Sequence, residues 1–135
     1  MKRNILMSIK PRFVKEIIAG TKTFEFRKKI CQPHNIEKVY IYSSSPMKKI
    51  IGSFDLNIVL EGLPEEIWES CKDGAGVTKE YFMEYYQDKE KAYALQIENL
   101  KIFDNFISPY ETNKNFTAPQ SYMYIDNLSI NSCSA

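Results

Sequence analysis

Gly20-Thr21-Lys22-Thr23-Phe24-Glu25-Phe26-Arg27 packs a helix stop, an ammonium, a carboxylate and a guanidinium into one turn and one strand. Just upstream, Pro11 suits the first turn of a helix, where its missing N–H would be unpaired anyway. Phe13, Val14, Ile17 and Ile18 then recur at helical spacing and form one apolar stripe. Gly20 ends that helix, because glycine tolerates the left-handed position that follows a last turn. From Thr23 the pattern alternates, with Phe24 and Phe26 on one face and Thr23, Glu25 and Arg27 on the other. Glu25 and Arg27 therefore share a strand face, about 7 Å apart along it, with Lys22 at the strand's mouth. Arginine offers a planar fork for a phosphate or a base edge, and lysine a compact charge. A surface ion-pair network at a strand edge, contributing little to stability, fits the same pattern.

Working outward, Asn4–Ile9 is a short strand-type run before Lys10-Pro11. Val39-Tyr40-Ile41-Tyr42 reads as a strand stopped by Ser43-Ser44-Ser45-Pro46, and Lys49–Leu60 as a long strand in which Gly52 marks a bulge or bend. Residues 61–90 carry nine acids and three lysines. Pro64 opens a helix with Ile67, Trp68 and Cys71 apolar, Gly74-Ala75-Gly76 breaks it, and Thr78 is the N-cap of a second helix. In that second helix Phe82, Tyr85 and Tyr86 are placed toward the core. Ala92–Phe103 alternates again, Ser108–Phe116 is irregular, and Pro119-Gln120-Ser121 leads into a last strand, Tyr122–Ile125. The order β-α-β-β-β-α-α-β-β predicts an α+β fold, a mixed barrel with short helices packed against it. One domain is expected over residues 1–125, with 126–135 a loosely held polar tail.

The 135 residues are 44% hydrophobic and 26% charged, the balance of an ordinary globular domain. Met1–Lys10 has only three uninterrupted apolar residues, against roughly seven to fifteen in a signal-peptide core and about twenty in a membrane span. Neither is expected. Cys31, Cys71 and Cys133 are odd in number and form no CxxC pair, so no disulfide framework or zinc site is expected and a reducing cytoplasm is the natural setting. Formal charge is +1, yet residues 1–49 hold twelve Lys/Arg against three acids, and residues 50–135 hold six Lys against fourteen acids. That split predicts a basic face for a polyanion, unless the two halves interleave and mix their charges.

Gly20-x-Lys22-x-x-Glu25-x-Arg27 directly after a short helix resembles the GxKxxExR motif of ASCH domains, named for homology to the activating signal cointegrator and related to PUA domains. The resemblance covers most of the chain, including the Lys10-Pro11 helix start, the serine-rich end of Val39–Ser45, the Lys49–Leu60 strand and Pro119-Gln120-Ser121-Tyr122. It implies a PUA-like mixed β-barrel with a cleft between the first helix and the barrel wall that takes RNA or a nucleotide. Lys22, Glu25 and Arg27 match the motif, and Gly20 shapes the turn. Ser43, Ser44, Gln120 and Ser121 are placed near the cleft by their loops. Lys10 and Arg12 add basic character. Tyr40 and Tyr42 alternate with Ile41, so both share a face, Tyr42 as a ring for stacking and at least one of the two expected in the core.

The resemblance also implies enzymatic alternatives. Some members are amidohydrolases on acylated cytidine that use a lysine, a threonine three residues later and a distant glutamate. Lys22 matches the first, but Glu25 stands where the threonine would be. Others are ribonucleases, for which Glu25 as general base beside Lys22 and Arg27 would suit phosphodiester cleavage. A partner-binding regulatory adaptor, acting in transcription or translation, is a third possibility. His34 is the one histidine and lacks visible partners, so no metal or cofactor is expected.

Overall fold

β1 (Arg3–Ile9) turns at Lys10 into α1 (Pro11–Ala19), whose start and stop follow the Pro11 and Gly20 signals. Gly20 takes a left-handed φ of 86°, and its N–H bonds back to the Ile17 carbonyl. The structure is a computed structural model and describes residues 2–126. Cys133 and all of the expected tail after Asp126 lie outside the described residues. Past α1 come β2 (Phe24–Arg27), β3 (Ile36–Ser43), β4 (Lys49–Asp55), β5 (Val59–Gly62), α2 (Pro64–Cys71) and α3 (Lys79–Tyr85). β6 (Ala92–Gln96), β7 (Glu98–Ile107), a short α4 (Pro109–Thr112) and β8 (Tyr122–Ile125) complete the order. The Thr78 hydroxyl accepts from the Tyr81 N–H and caps α3 as its position predicts.

The fold is α+β: mixed sheets with short helices against them. Five strands pair in the order β7-β4-β3-β1-β8 and three in the order β2-β6-β5. β1 and β3 are parallel, and the other pairings are antiparallel. The hydrogen-bonded ladder does not run continuously round a closed barrel. Instead, each of the two runs that read as single long strands divides between the sheets. Lys49–Leu60 leaves the larger sheet after Asp55 and joins the smaller at Val59, while β6 passes into β7 at Ile97. Those two crossovers join the sheets covalently. The segment read as irregular, 108–116, contains α4, whose single turn begins at Pro109.

One core lies under the larger sheet and α1, where Ile5, Met7, Ile41, Ile51 and Phe54 are wholly buried. Burying each such side chain contributes roughly 1.5–3 kcal/mol. A second core, with Phe26, Trp68, Phe82 and Tyr86, holds α2 and α3 against the smaller sheet. Tyr86 and Tyr85 pin this layer to β2, the first hydroxyl donating to the Arg27 carbonyl at 2.8 Å and the second to the Phe26 carbonyl at 3.4 Å. A third, smaller cluster buries Tyr42 and Ile50 beneath 110–118.

Gly52 sits where the register of β4 shifts against both neighbours. A Cβ there would fall on the Lys101 carbonyl oxygen and 3.2 Å from Ile102 Cα, both backbone atoms of β7. Gly52→Ala is therefore expected to lower the unfolding free energy by about 1–3 kcal/mol, read from urea denaturation. A variant as stable as the parent would remove this role for the glycine.

Candidate functional site

A cleft of about 600 Å³ opens between the start of α1, β2, α3 and two segments of the larger sheet's end, 44–48 and 118–120. β2 supplies its floor. Strand alternation turns Glu25 and Arg27 to the same side, and Arg27 Nη1 donates to Glu25 Oε2 at 2.9 Å. Lys22 Nζ stands 4.0 Å from Glu25 Oε1, with only 3% of the lysine and 4% of the glutamate exposed. A buried carboxylate needs such partners, since an unpaired charge out of water is strongly unfavourable.

Lys22 is held on three sides. Its ammonium donates to the Ala75 carbonyl at 3.0 Å, lies 4.6 Å from the Phe26 ring centre, and faces Glu25. Burial pushes its pKa below the ordinary lysine value, and the Glu25 carboxylate works against that shift. Gly76, at φ 67°, leaves room for the lysine stem: a Cβ there would lie 2.6 Å from Lys22 Cβ. Gly74-Ala75-Gly76, read from sequence as a helix break, is thus also the lid over Lys22. Cys71 lies in the same region, and burial pushes its thiol up to about 11, which keeps it protonated.

Arg27 is the clasp. Besides Glu25 it donates through Nη2 to Ser121 Oγ at 2.7 Å and through Nη1 to the Ser8 carbonyl at 3.4 Å. Ser8 in turn donates from its hydroxyl to the Pro119 carbonyl at 2.7 Å. One guanidinium therefore ties the smaller sheet to β1 and to the segment that enters β8.

Of the predicted site residues, Lys10, Lys22, Glu25, Arg27, Tyr42, Ser44 and Gln120 line the cleft. Ser121 is not on its wall but orients Arg27 from behind. Ser43 is buried and does not line it, because strand alternation turns it to the opposite face of β3 from Tyr42. Gly20 is exposed and acts through the turn alone. Arg12 also lies off the cleft wall, its guanidinium 4.7 Å from the Phe13 ring centre and 4.8 Å from that of Tyr81. Tyr42 is 1% exposed, and its hydroxyl meets that of Tyr110 at 3.2 Å. Tyr40 instead packs toward Phe103, outside the cleft.

Phe13, Tyr81 and Tyr110, which no motif singles out, also line the cleft, as do Lys28 and Lys48 from the basic runs Arg27-Lys28-Lys29 and Lys48-Lys49, and Tyr85, which the helix pattern places toward the core. Tyr85 is half-buried and faces the opening. The i, i+4 spacing of Tyr81 and Tyr85 was the available signal, since it puts both rings on one face of α3.

A curated relative from Zymomonas mobilis, an ASCH domain-containing ribonuclease, is 28% identical over 126 residues, 92% of this chain and 85% of that protein. The crystal structure of ASCH from the same organism superposes with a TM-score of 0.85 at 25% identity, covering 98% of this chain and 93% of that one. The N-terminal domain of Staphylothermus marinus McrB shares the fold at 10% identity, with a TM-score of 0.63 over 99% of this chain and 94% of that one. The architecture is that of an ASCH domain. The chain belongs to the family described as Domain of unknown function (DUF365), which matches residues 4–124.

Lys22 gives a pH signature. Its folded pKa lies below the ordinary 10.5, so the unfolded chain binds this proton more tightly than the folded one. Its contribution to stability therefore rises with pH up to about 10.4, the unperturbed lysine value. Urea denaturation at pH 8 and pH 10 is expected to show the parent gaining relative to Lys22→Met over that interval. Parallel curves for the two proteins would contradict the assigned environment.

Proposed function

We propose that this ASCH domain binds RNA in the cleft, with phosphates drawn to its cations and an unpaired base held among its aromatic rings. The observation that carries the reading is the lining itself: Lys10, Lys22, Arg27, Lys28 and Lys48 stand against a single carboxylate, Glu25. Phosphate contacts dominate the affinity of such sites, and single-stranded RNA is read by splaying bases onto aromatic side chains. Tyr81, Tyr85 and Tyr110, each only partly buried, offer such rings beside the cations. The name of the Zymomonas mobilis relative places that protein among enzymes acting on RNA, which supports the same ligand here.

That relative also favours a second reading, in which the bound RNA is cleaved. Lys22 and Arg27 would then stabilise charge developing on the phosphate. Glu25, with one oxygen bonded to Arg27 and the other facing Lys22, would chiefly hold the two cations in place.

Binding of a labelled single-stranded RNA, followed by fluorescence anisotropy across a salt series, is expected to weaken with a log–log slope of about −0.7 per phosphate engaged. Lys10→Ala and Lys48→Ala should each reduce the slope by about 0.7. Failure to bind a mixed RNA pool at low salt would reject the proposal. For the cleavage reading, loss of product with Lys22→Met, in a variant that still binds the RNA, is the expected result. Equal product from parent and variant would assign the cleavage to a contaminant.

A further inference from the structure

The α3 side of the cleft carries a feature that a pocket for one nucleotide does not need. Tyr81 and Tyr85 project from one face of α3 with their rings 11° from parallel and centroids 6.4 Å apart. Each ring has its own cation. Arg12 lies over Tyr81 at 4.8 Å and over Phe13 at 4.7 Å, while Lys28 lies over Tyr85 at 4.6 Å. Arg12 and Lys28 come from different elements, α1 and the residue after β2, and converge on this helix from opposite ends of the tyrosine pair. Arg12 and Lys28 are exposed, and both rings are half-buried, so the row is open to solvent. Tyr81, Tyr85 and Lys28 also line the cleft, which makes the row continuous with it.

We propose that this row is a track for the nucleotides flanking the one in the cleft, so that the ligand is a single-stranded RNA of several nucleotides and not a free nucleotide. This inference rests on the RNA reading above. Aromatic rings accept any base by stacking, and cations beside them take the phosphates between bases. The row supplies both in alternation. A base arriving on a tyrosine face displaces the cation from the ring, and the released guanidinium or ammonium is then free for the adjoining phosphate. Glu80 and Glu84, exposed on the same helix and offset by one residue from the tyrosines, repel the backbone from the neighbouring face and confine it to the row. A double helix is a poor fit, because its bases are paired and offer no face to the rings.

The experiment compares a 5′-labelled mononucleotide with a labelled single-stranded octanucleotide, each titrated with the full chain at low salt. The parent is expected to bind the octanucleotide at least about tenfold tighter, the order of one stacked base. That advantage, taken as a ratio within each protein, should fall several-fold in Arg12→Ala and in the double variant Tyr81→Leu, Tyr85→Leu. It should survive in Tyr81→Phe, Tyr85→Phe, which keeps the rings and so controls for folding. Equal affinity of the parent for both ligands overturns the track and leaves the cleft reading standing. So does an advantage that persists undiminished in the leucine variant. No binding of either ligand removes both.

Discussion

Glu25 is a carboxylate almost wholly withdrawn from water, and much of the molecule is arranged around keeping it paired. Its two oxygens face Arg27 and Lys22, and each cation draws in further structure. Arg27 reaches on to Ser8 and Ser121 and so fixes where the segment before β8 crosses β1. Lys22 requires the Ala75 carbonyl, which brings the turn after α2 down onto β2. The Arg27 carbonyl accepts the Tyr86 hydroxyl and suspends α3 over the same strand. Among the described residues no buried side-chain nitrogen or oxygen lacks a hydrogen-bond partner. A partly satisfied charged cluster at this depth would cost more than an apolar one. The satisfied version confers a defined geometry on the cleft floor.

What could be read from the chain was what local chemistry dictates. Pro11 and Gly20 bound α1, the alternation of 23–27 turns Glu25 and Arg27 to one side, and Thr78 caps α3, because each depends on residues a few positions away. The handover of strands between sheets was hidden, since Leu56, Ile58 and Ile97 continue the apolar pattern and no Gly or Pro marks either change. Gly74 and Gly76 gave a helix break, but their packing against Thr23 and Lys22 links positions some fifty residues apart and has no local mark. Tyr85 was assigned to the core because a tyrosine is equally at home there. Tyr86 takes that place fully, with 2% exposure, while Tyr85 packs against the edge of the same core and also lines the cleft.

The charge split between the two halves acquires a meaning in three dimensions. All five cations on the cleft wall come from residues 10–48, and so does Arg12 beside it. The acidic half contributes uncharged groups to the same wall, chiefly Tyr81, Tyr85, Tyr110 and Gln120. The halves interleave as a fold, yet their charges do not mix at the opening. Charge comes from one stretch of chain and most of the tyrosines from the other.

β1 lies between β3 and β8, parallel to one and antiparallel to the other. β1 thus finds β3 early and waits for its second neighbour until residues 122–125 have been synthesised. During translation the larger sheet keeps an open edge along Asn4–Met7 until then, and Arg27 lacks the Ser121 hydroxyl it will later grip. The nascent chain can therefore assemble its smaller sheet and α1 to α3 on the ribosome, but the cleft wall is complete only once the segment 118–125 has left the exit tunnel.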